Sequence, residues 1–348
     1  MPTINRRYDI DWLRVVAIGL LLIYHIAIGF QPWGFMIGFI VNEETWEALW
    51  IPMTMLNVWR IPLLFFVSGM GVYFAVQNKN WKGVMMERAK RILLPFIFGA
   101  LFIVPLHMYL MQYNYQFPLS YQPGPGHLWF LGNIFAYVLI LLPLFLYLKR
   151  NEHGKVIARM KSWMSTPLGL LPIFIALVAE VIIVDPTPYE MYAMTLHGFV
   201  LGMIAFFSGF CLMLAGSDAW TMLKKWCWAF LLLAIAFYTW RLAQPYMMVP
   251  KYLMTIESLF WIFAIFGFGY KYLNHPGKAL TYLSQAAYPV YILHMVFLYI
   301  GSLLIFPLGI IVWVKFILLL LFTGTGCMLI YELVIRRVKW LKVLFGLK

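Results

Sequence analysis

Charged residues are scarce in this sequence. Only 11% of the 348 residues are charged, and of these 13 are acidic. A soluble domain needs a polar surface, which this chain does not supply, because 64% of its residues are hydrophobic and its mean hydropathy is +0.83. The composition therefore excludes a soluble globular protein and indicates an integral membrane protein that crosses the bilayer several times.

Cysteine is also rare, with three residues in the whole chain. Cys211, Cys227 and Cys327 lack the spacing of a metal site and are too few for a disulfide framework. We expect buried, unreactive thiols and no metal. A small-residue cleavage site is missing after the first apolar run, which favours an uncleaved first span over a signal peptide.

Apolar runs of about 20 residues, the length that crosses a bilayer as a helix, recur along the whole chain. They predict an all-α polytopic membrane protein that forms a single integral-membrane domain over 1–348, with no internal repeat visible in the sequence. The ten predicted spans are 8–31, 50–77, 91–112, 127–148, 167–185, 195–215, 226–245, 252–273, 283–305 and 308–335.

The basic residues, 26 in number against 13 acids, are distributed unevenly between the connections. Of these, 21 lie at the termini and in alternate connections, whereas the opposite connections carry acids or no charge. The positive-inside rule places the basic side in the cytoplasm, so both termini are predicted to be cytoplasmic. The excess positive charge is thus explained by membrane topology, and we expect a lipid bilayer but no nucleic acid as a partner.

The five remaining basic residues fall within predicted spans or, for Lys251, directly before one. Ionisable groups at membrane depth are costly and usually face a partner or a cavity. Near outer span ends, Arg241 and Lys251 are predicted to extend their charges to the membrane interface. Lys315 and Glu257 are predicted to lie at a similar depth in the membrane, so one hypothesis is that they form an ion pair. Glu180 has no evident partner. These five basic residues are Arg14, Arg60, Arg241, Lys251 and Lys315.

The first span, RRYDIDWLRVVAIGLLLIYHIAIGF, carries three of the most informative residues. Eleven helical steps from Arg14 to His25 return within about 20° of the starting direction and rise roughly 16 Å. Asp11 precedes Arg14 by three residues, so it lies beside the guanidinium and holds it. The pattern predicts an anion clamp near the cytoplasm and a titratable imidazole deeper in the membrane. The alternative is a buried polar set that only ties helices together.

The second and third spans add further candidates for binding. NVWRIPLLFFVSG contains Arg60 and Ser68, and the glycines after Ser68 allow another helix to approach closely. ERAKRILLPF clusters Arg88 and Arg91 at the cytoplasmic entrance to the third span. A phosphate-binding role for these two arginines competes with a role in membrane topology alone.

Two motifs in later spans contain histidine. PGPGHLWFLGNIF delivers His127 and Trp129 to the outer mouth of the fourth span, where Trp is also a common interface anchor. YPVYILH places Tyr291 and His294 three residues apart, on one face of the ninth span.

Together these motifs give the chain a resemblance to a known family. YDIDWLR with the Arg-x10-His spacing, RIPLLFFVSG, RAKRILLP, GHLWFL and YPVYILH occur in order over almost the whole chain. In this the sequence resembles the acyltransferase-three family of bacterial ten-span membrane acyltransferases, and within it the glucan biosynthesis protein C branch, which is similar to glucan succinyltransferases. Other branches carry a glutamate shortly after the Trp of the fourth-span motif. WFLGNIF has none, so no role of that glutamate carries over.

The resemblance implies an acyltransferase for groups other than aminoacyl groups, located in the bacterial inner membrane. It would move an acetyl-class or succinyl-class group from cytoplasmic acyl-CoA, a donor substrate and not a bound cofactor, to a hydroxyl of a cell-surface or periplasmic glycan. His25 is the expected general base and Arg14 the donor clamp. The other candidates are expected to bind donor or acceptor: Asp11, Arg60, Ser68, Arg88, Arg91, His127, Trp129, Tyr291 and His294. Direct transfer and an acyl-histidine intermediate both stay open.

Two other functions are compatible with ten spans and buried charges. A secondary transporter or flippase of a glycan or small anionic solute also fits, although transporters typically show two related halves and none is visible here. Binding of acyl-CoA separates these functions, because only the enzyme requires a donor.

Overall fold

The computed structural model describes residues 6–347. Within this range ten helices are long and apolar enough to cross a membrane, and there is no β-strand. The all-α fold predicted from the apolar runs is therefore confirmed. The helices are α1 (Tyr8–Ile28), α2 (Glu47–Asn78), α3 (Trp81–Asn114), α4 (Gly126–Arg150), α5 (Pro167–Val184), α6 (Leu196–Ala215), α7 (Ser217–Leu242), α8 (Lys251–Tyr272), α9 (Lys278–Ile305) and α10 (Val312–Ile335).

Several helices begin earlier than the apolar runs predict. The third helix starts at Trp81 instead of residue 91, and the seventh starts at Ser217 instead of residue 226. The extra turns contain basic residues such as Arg88 and Lys225, which an apolar window excludes although they are compatible with a helix end outside the hydrocarbon. The connection after α4 also contains an unpredicted amphipathic helix, Lys155–Met164.

Contacts within the chain divide it into two compact units that alternate along the sequence. The sequence expectation of one domain over 1–348 stays a prediction. The first unit comprises Met1–Ala17, described from residue 6, together with Asn57–Met86 and Asn133–Leu280. The second unit comprises Ile18–Leu56, Glu87–Gly132 and Thr281–Lys348, described to residue 347.

In the first unit, helices α2 and α6 meet backbone to backbone. A Cβ atom at Gly69 of α2 would collide with the backbone of Phe206, and one at Gly209 of α6 would collide with the backbone of Phe66. Small residues at both contacts permit this approach, which increases van der Waals contact where no hydrophobic effect between helices operates. The close approach predicted from the glycines after Ser68 is confirmed at Gly69.

The core of the second unit surrounds the end of α1 and the connection that follows it. Ile26, Ile28 and Phe30 are buried there together with Leu298 of α9 and Leu319 of α10. The free thiols of Cys227 and Cys327 are buried as expected, whereas Cys211 is only half-buried.

Candidate functional site

Four of the chain's seven histidines lie together in the second unit. They come from four helices: His25 from α1, His107 from α3, His127 from the start of α4 and His294 from α9. His107 and His294 are buried, and His25 and His127 are half-buried. We call this group the histidine cluster. It unites residues far apart in the sequence, which indicates that the tertiary structure assembles it.

A hydrogen-bonded chain connects two members of the histidine cluster. His25 Nδ1 lies 2.8 Å from His294 Nε2, and the two ring planes are inclined by 11°. On the other side of its ring, His294 Nδ1 donates to the carbonyl of Tyr291 at 2.6 Å. The rings of Tyr291 and His294 have centroids 5.9 Å apart, which confirms that they share a helix face.

His127 is held by reciprocal hydrogen bonds with α9. Its Nε2 donates to the carbonyl of Ile292 at 3.1 Å, while its own carbonyl accepts from the Tyr291 hydroxyl at 2.6 Å. The ring of His127 meets that of His294 edge-on at a centroid distance of 5.0 Å. Gly126 permits this arrangement because its φ of +45° would be strained for other residues. The start of α4 and the middle of α9 are thereby locked together.

His107 and aromatic residues complete the histidine cluster. The His107 ring lies 5.4 Å from that of His127 and 5.2 Å from that of Tyr299, between centroids. Phe39 packs against His25 at 5.7 Å, and the Tyr299 hydroxyl donates to the carbonyl of Gly38 at 2.6 Å. His107 was not predicted as a site residue. The rule that flagged His25, an ionisable side chain inside an apolar span, also applies to VPLHMYL and would have found it.

The histidine cluster does not resemble a metal centre. Among residues 6–347, no group of three or more His, Cys, Asp or Glu residues is arranged to hold a metal ion. Imidazoles can instead accept and return protons near neutral pH, since the ordinary pKa of histidine is about 6.5. The chemistry that this geometry supports best is proton transfer.

Arg14 and Asp11 lie together in the first unit, as predicted. Arg14 Nη1 is 3.6 Å from Asp11 Oδ1, and Asp11 Oδ2 also accepts from Arg6 Nη2 at 2.9 Å. The Arg14 side chain is 38% exposed, so this pair is accessible. A Cβ atom at Gly71 of α2 would lie 3.7 Å from Arg14 Nη2, which places the guanidinium beside α2.

The other two candidates of the first unit, Arg60 and Ser68, lie on α2. Arg60 is buried. Its positive charge opposes the rise that burial causes in the pKa of Tyr192, a residue of the connection between α5 and α6. Ser68 donates from its hydroxyl to the carbonyl of Leu64 one turn earlier, at 2.7 Å. That hydroxyl is thus engaged within its own helix, and the predicted binding role of Ser68 stays a prediction.

Three further candidates lie in the second unit: Arg88 and Arg91 are distant from the histidine cluster along α3, whereas Trp129 follows His127 by two residues on α4. Arg91 pairs with Glu87 at 3.2 Å, and it precedes His107 on α3 by sixteen residues, roughly 24 Å of helix. Arg88 belongs to the same basic segment, and the ring of Trp129 packs on that of Phe130 at 6.3 Å. A role for these residues in binding stays a prediction.

A second group of buried polar residues lies in the first unit, and we call it the ion-pair cluster. Arg241 donates to both carboxylate oxygens of Glu257, at 2.8 and 2.9 Å. Glu180 accepts from Nδ1 of His197 at 3.0 Å. Tyr189 and Tyr192 pack on the His197 ring. Burial raises the pKa of Glu190 and of Tyr192 in the adjoining connection.

The contacts of Arg241 and Lys315 in the structure correct two expectations about charged residues. Arg241 does not extend to the membrane interface, since it is fully buried against Glu257. The hypothesis that Lys315 pairs with Glu257 is wrong as well. Lys315 donates to the carbonyl of Phe306 at 2.6 Å and contacts Asn42 Oδ1 at 3.2 Å. Lys251 pairs with Asp185 at 2.6 Å.

The ten apolar helices define a polytopic α-helical membrane protein. A comparison with known protein families matches residues 7–332 to the acyltransferase-3 family, whose description is "Acyltransferase domain". The match covers nearly the whole chain, so the protein belongs to this family, and the resemblance inferred from its motifs is confirmed at family level. Neither the curated proteins nor the solved structures contained a match to the chain.

Proposed function

We propose that the protein is a membrane O-acyltransferase that moves an acetyl-class or succinyl-class group from cytoplasmic acyl-CoA to a hydroxyl of a cell-surface or periplasmic glycan. The observation that carries this proposal is the histidine cluster around His25, within a chain that belongs to an acyltransferase family. The motif resemblance to the glucan biosynthesis protein C branch supports a glucan as the acceptor.

His25 acts as the general base in this proposal. The acceptor hydroxyl gives its proton to His25 as its oxygen attacks the thioester carbonyl carbon. The carbon–sulfur bond of the resulting tetrahedral intermediate then breaks, and the CoA thiolate takes the same proton back from His25. Atoms and charge balance without an oxidant, a metal or a bound cofactor. His127 and Tyr291 pack against His294, and we propose that they contact the acceptor.

Arg14 serves as the donor clamp. CoA is polyanionic, and a guanidinium presents several N–H donors in a planar fork that matches phosphate oxygens. The Arg14 side chain is 38% exposed and lies 3.6 Å from Asp11, so the guanidinium is accessible to an incoming anion. Arg88 and Arg91 are proposed to add positive charge for the nucleotide part of the donor, as part of the basic side of the chain.

The proposed orientation places both termini in the cytoplasm of a bacterial cell, with the protein in the inner membrane. The distribution of 21 of the 26 basic residues to alternate connections supports it. Reporter fusions within 149–161 test the orientation, and an external signal there would contradict it.

The catalytic proposal is tested with His25→Ala, measured for acyl-CoA binding and acyl transfer on the same purified protein. We expect transfer to fall by roughly 10²–10⁴-fold while donor affinity stays within about twofold, since a base acts on the chemical step. His275→Ala is the matched control because His275 is an exposed histidine. Transfer at the wild-type rate by His25→Ala would refute the mechanism, and absence of acyl-CoA binding by the wild-type protein would favour a transporter or flippase.

A further inference from the structure

We infer that His294 is a positioning residue that holds His25 in the tautomer protonated at Nδ1, so that Nε2 of His25 is the atom that accepts the proton of the acceptor. The catalytic part of this inference rests on the proposed function. The tautomer itself follows from the hydrogen bonds of the histidine cluster alone.

The protonation states of the two histidines can be assigned by starting from the backbone carbonyl that accepts from His294. The carbonyl oxygen of Tyr291 has no proton to give, so the nitrogen that lies 2.6 Å from it, Nδ1 of His294, carries a hydrogen. His294 is 1% exposed, and a charged imidazole at such a site would need a counter-charge, whereas the groups around it are carbonyls, aromatic rings and imidazoles. The His294 ring is therefore neutral at rest, and its Nε2 carries a lone pair.

The second hydrogen bond transmits this assignment to His25. Nε2 of His294 lies 2.8 Å from Nδ1 of His25, and two lone pairs at that distance would repel each other. Nδ1 of His25 therefore carries the hydrogen and donates it. Neutral imidazole has one protonated nitrogen, so Nε2 of His25 is left with a lone pair.

This tautomer decides whether His25 is able to act as a base. With a hydrogen on Nε2 instead, that nitrogen could not take the proton of a hydroxyl. When Nε2 does become protonated, Nδ1–H remains bonded to His294, and the lone pair there stabilises the positive charge. In Ser-His-Asp enzymes a carboxylate fixes the histidine tautomer in this manner. Here a neutral imidazole does so, which avoids placing a second charge in a buried site.

His294 is itself held in place from several sides. Its Nδ1 hydrogen bond fixes the rotation of its ring, and the edge of His127 packs against it at a centroid distance of 5.0 Å. The Tyr291 hydroxyl bonds the carbonyl of His127, so the residue that accepts from His294 is anchored as well. Such supporting bonds are what keep a catalytic side chain in its productive geometry.

Two substitutions at His294 separate positioning from packing. In His294→Gln the amide oxygen can still accept from Nδ1–H of His25, whereas His294→Leu offers no acceptor. We expect kcat to fall at least about 10²-fold in His294→Leu and less than about tenfold in His294→Gln, with unchanged KM for acyl-CoA in both. The control is His275→Gln at the exposed His275, for which both constants should equal those of the wild type.

A second measurement reads the tautomer without any activity. Nitrogen-15 NMR of histidine-labelled protein in nanodiscs distinguishes the protonated from the bare ring nitrogen, and the His25 signals are assigned as those missing in His25→Ala. We expect His25 to be protonated at Nδ1 in the wild type and in His294→Gln, and at Nε2 in His294→Leu. If His294→Leu fails to fold, the NMR spectra of the wild type and of His294→Gln still show which nitrogen of His25 is protonated.

Protonation of His25 at Nε2 in the wild type, or a wild-type kcat in His294→Leu, would overturn the inference. Failure of the proposed function would look different, because the wild-type protein would then transfer no acyl group while its NMR spectrum still reported the tautomer.

Discussion

The histidine cluster of the second unit and the ion-pair cluster of the first unit solve the problem of buried polar groups in different ways. In the ion-pair cluster, Arg241 meets Glu257 through two hydrogen bonds, and Glu180 meets His197. In the histidine cluster, imidazoles bond to each other and to backbone carbonyls. The Arg241–Glu257 pair balances opposite charges, whereas the histidine cluster arranges imidazoles that are able to gain and lose protons.

This difference in charge favours a structural role for the ion-pair cluster and a chemical role for the histidine cluster. A buried ion pair costs desolvation energy for both charges, and each partner is needed to compensate the other. Neutral imidazoles are less costly to bury, and they keep a lone pair for a substrate proton. The proposed catalytic role of the histidine cluster therefore contrasts with a role in helix positioning, which we propose for the ion-pair cluster. Substitutions in the two clusters should then affect different quantities.

The largest effect on stability is expected from Arg241→Met. This substitution leaves the Glu257 carboxylate buried without its partner, since both side chains are only 2% exposed. The free energy of unfolding should fall by about 3–5 kcal/mol. Denaturant unfolding in detergent measures it, and the double variant Arg241→Met with Glu257→Leu should recover most of the loss. A single variant as stable as the wild type would show that the pair does not hold the first unit together.

A smaller effect, confined to donor binding, is expected from Arg14→Lys. The pair between Arg14 and Asp11 is long and accessible, unlike Arg241 and Glu257, so its loss should hardly change stability. An ammonium cannot reproduce the planar fork of the guanidinium, and the affinity for acyl-CoA should fall about tenfold, which corresponds to about 1.4 kcal/mol. Calorimetric titration with acyl-CoA measures it. Normal donor affinity would reduce Arg14 to a counter-charge for Asp11.

The smallest effect is expected from Glu190→Gln beside the ion-pair cluster. Burial raises the pKa of Glu190 above its unfolded value, so the protonated form is favoured in the folded protein. Its stabilising contribution is present at low pH and is lost as the pH rises through the raised pKa. Melting temperatures between pH 4 and pH 8 should therefore decline more in the wild type than in Glu190→Gln. Parallel curves would show that Glu190 has no such linkage.

Local patterns were sufficient for most of the fold. Ten apolar runs predicted ten spans, because crossing a bilayer requires about 20 apolar residues in succession and each run can be recognised by itself. The starts of α3 and α7 were predicted too late, since their first turns carry basic residues that lower the apolar content of a window without preventing helix formation. His25, His127, Tyr291 and His294 were likewise recognised as candidates from local motifs.

Contacts between distant segments were decided only by the tertiary structure. Nothing near Arg241 in the sequence indicates that it turns to Glu257, or that Lys315 turns to Asn42 and Phe306. His107 joins His127, and His294 accepts from His25, across 20 and 269 positions of the chain. The sequence by itself determined which ionisable side chains belong to apolar helices, because hydropathy is a local property. Which partner meets each of them depends on how the helices pack, and that is not local.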